Sequence, residues 1–151
     1  MSRFRFRLEP VLQMRQRAEE EAEQALARAE RQLQDATARL RTASDRLRDA
    51  YASATQAERE GADVVLLTWH RNWIVARTRD VEASRLDVQE RLETRDLRLT
   101  QAQEARKERR VLDRFKERAR QAFDAEASRR EMQAIDELAT IKAARRAGDF
   151  Q

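Results

Sequence analysis

The feature that most restricts the fold of this chain is the near absence of residues that interrupt a helix. Its 151 residues include 2 glycines and 1 proline. Pro10 lies where a first helical turn would begin, a position that proline tolerates. Gly61 is then the one interior interruption, because Gly148 falls near the end of the chain. A glycine followed closely by Asp63 is typical of a helix stop and a new N-cap.

Two long helices joined by a short turn pack beside each other as antiparallel neighbours. We therefore predict an all-α fold, an antiparallel coiled-coil hairpin that occupies residues 1–151 as a single unit. Helix 1 is expected at about residues 8–59, the turn at about 60–63 and helix 2 at about 64–146.

The predicted arms of the hairpin are unequal in length. With the turn centred near residue 60 or 61, residue i of helix 1 should face about residue 121 − i of helix 2. Residues 121–146 would then extend past the start of helix 1 as an overhang without a partner helix. This overhang still carries large apolar side chains, at Phe123, Met132, Ile135, Leu138 and Ile141. Because isolated helices are marginal in water, we expect the overhang to dock on another surface.

A seven-residue apolar repeat marks the packing face of helix 1 and predicts a coiled-coil seam. Alanine recurs in one phase from Ala22 to Ala57, and leucine recurs in the other. Arg15 and Glu19 interrupt the repeat, and in helix 2 a similar repeat changes phase beyond Ala105. The leucine positions of the seam are Leu12, Leu26, Leu33, Leu40 and Leu47.

The composition favours a helical binding protein over an enzyme. Charged residues make up 40% of the chain, but 32 Lys and Arg nearly balance 28 Asp and Glu, which together with the scarcity of Gly and Pro argues against disorder. There is no cysteine and His70 is the only histidine, so we expect no metal site, no cofactor and no catalytic residues. The N-terminus lacks a signal peptide and no segment is apolar enough to span a membrane, which predicts a soluble intracellular protein.

Positive charge is concentrated at the expected open end of the hairpin. Residues 1–17 contain five Arg and one Glu, and residues 104–120 contain eight Lys or Arg and four Asp or Glu, so each segment has a net charge of +4. Antiparallel pairing would bring the two segments together. This end is either an ordinary solvated surface or an electrostatic docking site for an acidic partner. Nucleic acid is not expected, since no recognition motif is present and carboxylates are interspersed.

The large aromatic side chains lie near the turn. Trp69 and Trp73 are four residues apart on one face of helix 2, and Tyr51 should face about residue 70. Two interpretations remain open. These side chains either cover the end of the hairpin and stabilise the turn, or form a protein-binding patch, because Trp and Tyr are frequent interface anchors. His70, which lies among them, has no special role assigned.

Both ends of the chain resemble a known family. The opening run from Phe4 to Arg15 matches the pattern F-x-F-x-L-x-x-v-L-x-x-R, and the charged closing segment runs from Lys107 through Phe115-Lys116-Glu117-Arg118 to Asp136-Glu137-Leu138-Ala139. With the hairpin arrangement, these motifs resemble the FliJ family, the small coiled-coil proteins of the bacterial flagellar type III export apparatus. The resemblance covers essentially the whole chain. One departure is Arg77, which stands where the family has an apolar residue.

The resemblance implies a stalk that resembles the central shaft of rotary ATPases. Such proteins sit in the ring of the hexameric export ATPase, contact the membrane-embedded export gate, and bind some export chaperones. The implied location is the cytoplasm, at the cytoplasmic face of the inner membrane. The resemblance supplies these tasks, and the residues themselves suggest how the chain divides them. The aromatic cluster near the turn suggests gate binding at Tyr51, Trp69 and Trp73. The charge split and the apolar overhang suggest binding of the ATPase ring at Arg5, Arg7, Arg109, Arg110, Arg114, Ile135 and Leu138.

Three alternatives remain open from the sequence. The first is a stalk protein of an injectisome secretion system, which shares the architecture. The second is a structural coiled-coil scaffold, which would form a concentration-dependent dimer, whereas a hairpin is expected to be monomeric in isolation. The third is a basic protein that binds polyanions, which salt-dependent DNA binding would reveal.

Overall fold

The fold consists of two long α-helices that pack against each other as an antiparallel hairpin. The structure is a computed structural model that describes residues 3–148. Helix α1 comprises Glu9–Arg59 and helix α2 comprises Val64–Gly148, and the described residues contain no strand. The predicted class, an all-α coiled-coil hairpin with a C-terminal helical overhang, is confirmed.

Local hydrogen bonds at Gly61 explain why α1 stops where it does. Gly61 adopts a φ of 75°, which a residue with a Cβ adopts only at a cost. Its N–H donates to the carbonyl of Glu58 at 3.1 Å, and the N–H of Ala62 donates to the carbonyl of Ala57 at 3.0 Å. This pair of bonds is the Schellman motif, and it satisfies carbonyls that a helix end leaves without partners.

Helix α2 begins with a side-chain cap. Asp63 Oδ1 accepts a hydrogen bond of 2.9 Å from the backbone N–H of Leu66, and the Asp63 carbonyl accepts the N–H of Leu67 at 3.0 Å. An N-cap of this kind contributes about 1 kcal/mol to helix stability. The chain therefore reverses direction through a glycine stop and an aspartate start, both of which are local sequence effects.

The interface between the helices is thin and is built mainly from alanine. The leucine positions of the predicted seam, Leu26, Leu33, Leu40 and Leu47, are half-buried, while the alanines of the other phase from Ala29 to Ala57 are buried. Small side chains on the contact line let the helices approach closely, so the leucines lie at the flanks of the interface. Buried hydrophobic side chains of both helices are Leu12, Ala29, Ala36, Ala43, Ala50, Ala57, Val81 and Ala102.

The chain divides into two packing units. Within the described residues, one unit comprises residues 19–105 and includes the turn, and the other comprises residues 3–18 and 106–148. The division falls where the sequence repeat is interrupted. In α1 the polar Arg15 and Glu19 stand at seam positions there, and in α2 the heptad phase changes after Ala105.

The register of the paired helices differs from the predicted one. Residue 82 was expected opposite Arg39, but the Arg39 guanidinium contacts Asp87 at 3.0 Å in the unit that contains the turn. In the other unit, Glu9 pairs with Lys116 at 2.8 Å, a shift in the same direction. The 121 − i rule therefore places the facing residue too early, by two positions for Arg15 with Glu108 and by five for Arg39 with Asp87. The connection between the helices spans residues 60–63, so its centre lies slightly beyond Gly61, and long side chains reach further along the partner helix.

The overhang also begins later than predicted. Residues 3–8 precede α1 in a non-helical conformation, and this segment reaches Phe123 of α2. A non-helical stretch covers more distance per residue than a helix, roughly 3.3 Å against 1.5 Å, so a few residues protect more than one turn of α2. Every residue from 128 to 148 is exposed. We use the name overhang for residues 128–148.

Candidate partner-binding surfaces

The N-terminal segment is held against α2 by an aromatic contact. The rings of Phe4 and Phe123 have centroids 5.6 Å apart and are tilted by 59°. The guanidinium of Arg120 lies 5.5 Å from the centroid of the Phe4 ring. An aromatic pair of this geometry contributes about 0.5–1.5 kcal/mol beyond the area it buries. Neither contact was predicted from the sequence, because the expected register placed Phe123 beyond the chain start.

Ion pairs fix the first turns of α1 to α2 in the same unit. Glu9 pairs with Lys116 at 2.8 Å and Arg15 pairs with Glu108 at 2.5 Å. Arg15 interrupts the apolar repeat of α1, and this pair explains how a cation is accommodated at a seam position. Both pairs are partly solvent-exposed, so each contributes at most about 1 kcal/mol.

The basic residues that the charge distribution suggested for ATPase binding differ in their solvent exposure. Arg5, Arg7, Arg110 and Arg114 are exposed. Arg109 is half-buried and pairs with Asp113 at 2.5 Å within α2. The exposed four are therefore better placed to meet a partner. We call residues 3–18 and 106–127, which carry this charge, the basic end.

The overhang presents large apolar side chains to solvent. Ile135 is 60% exposed and Leu138 is 59% exposed, and Met132 and Ile141 are exposed as well. In α2, Phe123 and Ala127 are half-buried in the basic end, whereas no residue after them is. The overhang is thus a regular helix, up to Gly148, whose apolar side chains have no partner among the described residues.

Near the turn, three side chains of α2 stack in succession. Trp69 and Trp73 have ring centroids 5.7 Å apart and planes only 6° from parallel. The guanidinium of Arg77 lies 4.3 Å from the Trp73 ring centroid, and Arg77 also pairs with Asp80 at 3.2 Å. Trp69, Trp73 and Arg77 form what we call the tryptophan stack. The spacing of four residues between its members was visible in the sequence, but the contribution of Arg77 was missed.

Both tryptophans remain open to solvent, at 55% for Trp69 and 42% for Trp73. Tyr51 of α1 is exposed too, and it makes no ring contact with either tryptophan in the described residues. Trp73 and Arg77 instead border a groove of about 390 Å³, which α1 lines with Arg46, Asp49, Ala50 and Ser53. Tyr51, Trp69 and Trp73 therefore lie in the same unit, but among these three only the two tryptophans form a ring contact in the described residues.

His70 packs edge-on against Trp69, with ring centroids 5.0 Å apart. Its Nδ1 is buried and has no hydrogen-bond partner within residues 3–148. The same part of the chain contains no group of three or more His, Cys, Asp or Glu side chains that could hold a metal ion. His70 therefore contributes its ring to packing near the turn.

The fold and these surfaces define the class of protein: a two-helix coiled coil that presents basic, apolar and aromatic side chains on its exposed surface. No helix within residues 3–148 combines the length and the apolar character needed to cross a lipid bilayer. The sequence profile of the family described as "Flagellar FliJ protein" matches residues 4–148. The chain belongs to the FliJ family and is a component of the flagellar type III export apparatus. Neither the comparison with curated proteins nor that with solved structures finds a significant match.

Proposed function

We propose that this protein acts as a stalk that links the hexameric export ATPase to the export gate. In this proposal the basic end and the overhang enter the ATPase ring, and the surface around the tryptophan stack contacts the membrane-embedded gate. Coupling of ATP hydrolysis to export then follows from one chain engaging both partners. The protein would bind at the cytoplasmic face of the inner membrane as a monomeric hairpin, and export chaperones are additional candidate partners.

The observation that carries the proposal is the exposed apolar overhang beside a basic surface. A helix without a packed face is marginal in water, and its stability normally comes from burying apolar side chains against another surface. Ile135 and Leu138 are each more than half exposed, so they are available for such burial. Burying a leucine or isoleucine side chain fully is worth about 1.5–3 kcal/mol.

The charge of the basic end supports electrostatic capture of an acidic surface. Arg110 and Arg114 are exposed and lie one turn apart on α2, so they can meet the same partner. Arg5 and Arg7 are exposed on the N-terminal segment of the same unit. Complementary charge of this kind raises the association rate and fixes orientation more than it raises affinity.

The tryptophan stack supports a second, separate contact. Two exposed tryptophans held in a fixed geometry provide a large, rigid surface, which is typical of the residues that dominate binding energy. Arg77, which departs from the apolar residue of the family pattern, covers part of the Trp73 ring. We therefore assign gate binding to Trp69 and Trp73, with Tyr51 as an independent contact on α1.

The experiment that tests the proposal separates the two contacts by mutation. Arg110→Glu/Arg114→Glu should weaken binding to the purified export ATPase and its stimulation, and should leave binding to the cytoplasmic domain of the gate unchanged. Trp73→Ala should do the reverse. A matched control is Arg28→Glu/Arg41→Glu, which makes the same charge change at exposed positions of α1 in the other unit.

The proposal of two separate contacts fails if both variants lose both partners equally. A large fall in melting temperature for Trp73→Ala would mean that the tryptophans stabilise the turn instead. Sedimentation over a range of concentrations tests the monomeric state, since a scaffold would form a dimer as concentration rises.

A further inference from the structure

A cleft of about 610 Å³ opens in the basic end between the N-terminal segment and α2. It is open to solvent and large enough to accept a few side chains of a bound partner. Unlike a bare helix surface, it is built from two separate stretches of chain, which the contact between Phe4 and Phe123 holds together. Its walls are formed by Arg3, Phe4, Arg5, Phe6, Glu9, Lys116 and Arg120.

The charge of this cleft is only partly neutralised by the chain itself. Four of the lining side chains are cationic and one, Glu9, is acidic. Glu9 is paired with Lys116 at 2.8 Å, and Arg120 lies 3.6 Å from Asp124, which is outside the cleft. Within residues 3–148, Arg3 and Arg5 have no acidic partner. Two free guanidinium groups beside a paired lysine favour an anionic ligand, and guanidinium is suited to binding carboxylates through two parallel hydrogen bonds.

The cleft also has an apolar wall. Phe4 and Phe6 are half-buried, so each leaves part of its ring at the surface. Contacts with Phe123 and with the guanidinium of Arg120 fix the position of the Phe4 ring. The exposed part of the ring is therefore already in place when a ligand binds. A ligand that matches this lining carries apolar groups next to its negative charges.

A protein segment fits this description better than a nucleic acid or a lipid surface. A nucleic-acid backbone carries closely spaced phosphates and requires an uninterrupted track of cations. Here Glu9 of α1 and Glu117 and Asp124 of α2 lie among the cations of the two stretches and would repel such a backbone. A lipid surface is flat, whereas the cations here line a recess. A peptide can place single carboxylates at Arg3 and Arg5 and an apolar side chain against Phe4.

We propose that this cleft binds an acidic peptide segment of a partner protein in which carboxylates alternate with apolar residues. If the partner is the export ATPase, the inference rests on the proposed function and specifies the kind of segment that the ATPase offers. The cleft itself is defined by this chain alone. Its ligand class can therefore be tested without the ATPase.

The direct test is fluorescence anisotropy with the full chain and a labelled peptide in which Glu alternates with Leu. Arg3→Glu/Arg5→Glu should weaken binding on the order of tenfold, because two favourable charge contacts become repulsive. Arg28→Glu/Arg41→Glu changes the charge equally outside the cleft and should leave the affinity within about twofold of the original. Phe4→Leu keeps an apolar wall and should retain most of the binding. The same peptide with Gln in place of Glu should not bind.

Three results would overturn the inference. One is equal weakening by the two double variants, which would indicate general attraction to a basic protein. Another is binding of the Gln peptide with the same affinity. The third is tighter binding of single-stranded DNA, or of vesicles rich in phosphatidylserine, than of the acidic peptide at matched salt. Circular dichroism of each variant establishes that both helices are retained.

The outcome is separable from that of the proposed function. If the chain binds the ATPase but Arg3→Glu/Arg5→Glu does not alter binding of the peptide, the cleft inference is wrong and the stalk proposal stands. If the peptide binds as expected and the ATPase does not bind at all, the proposed function is wrong and the cleft remains a site for acidic peptides.

Discussion

Arg77 lies across the ring of Trp73, with its guanidinium carbon 4.3 Å from the ring centroid. Its side chain is 21% exposed, and its Nε is buried without a hydrogen-bond partner among the described residues. A cation over an indole ring is worth about 0.5–1 kcal/mol near a protein surface, which compensates in part for the missing bond. The apparent departure from the family pattern is therefore a packing residue. Its hydrocarbon stem and planar head cover Trp73 as an apolar side chain would.

Removing this cover should expose the Trp73 ring. In a Trp69→Phe background, which leaves Trp73 as the single tryptophan, Arg77→Ala should increase the acrylamide quenching of Trp73 fluorescence. Arg71→Ala serves as the control, because Arg71 is an exposed arginine of the same helix, whereas the guanidinium over the Trp73 ring is that of Arg77. Equal quenching in the two variants would show that the guanidinium does not cover the ring in solution.

The sequence was sufficient for features that depend on local chemistry. The glycine stop and the aspartate cap are both decided within a few residues, and the seven-residue repeat defines which face of each helix is buried. The register between the two helices is not decided locally in this way. It depends on where the connection between the helices is centred and on the direction in which long side chains extend along the partner helix. The contact between Phe4 and Phe123 depends on that register and on the non-helical course of residues 3–8, so periodicity could not reveal it. The packing of Arg77 could not be predicted either, because the sequence pattern does not show which ring a long charged side chain covers.

A side chain at position 61 is expected to destabilise the fold because of the backbone conformation there, not because of a steric clash. The φ of 75° at Gly61 disfavours any Cβ, although no atom lies within 4 Å of where that Cβ would be. Gly61→Ala should therefore destabilise the fold by about 1 kcal/mol, or roughly 3 °C in melting temperature. Gly148→Ala is the control, since Gly148 does not have a positive φ, and thermal melts should show no loss of stability.

The pairing between the helices should contribute a pH-dependent increment of stability at Asp87. A hydrogen bond from Arg39 at 3.0 Å lowers the pKa of Asp87 below its ordinary value of 3.8, and the charge of Arg91 acts in the same direction. Because the folded state favours the ionised form, this increment is present above pH 3.8 and is lost as pH falls through the lowered pKa.

Asp87→Asn should consequently lower the urea midpoint slightly near neutral pH and have no effect in strong acid, at about pH 2. The matched control is Asp45→Asn, because Asp45 pairs with Arg48 within α1 and does not join the two helices. A difference between Asp87→Asn and the original chain that persists in strong acid would contradict the assignment to the charged form.

The N-terminal segment should become more accessible when its aromatic contact is removed. Phe123→Ala deletes the partner of Phe4 and about 0.5–1.5 kcal/mol of local stabilisation. Limited trypsin digestion should then cleave faster after Arg5 and Arg7. Phe115→Ala is the control, since Phe115 is 51% exposed and lies on the same helix. Unchanged cleavage in Phe123→Ala would show that other contacts hold the segment.

The apolar side chains of the overhang should be dispensable for folding. Ile135→Ser/Leu138→Ser replaces residues that are more than half exposed, so the melting temperature should stay within about 2 °C of the original. Leu12→Ala is the contrasting variant, because Leu12 is 1% exposed and its truncation should cost about 2–5 kcal/mol. If Ile135 and Leu138 do not stabilise the fold, burial against a partner is the physical reason for two exposed apolar side chains at these positions. If the double variant melted much earlier, the overhang would be packed in solution, and its apolar face would belong to the fold.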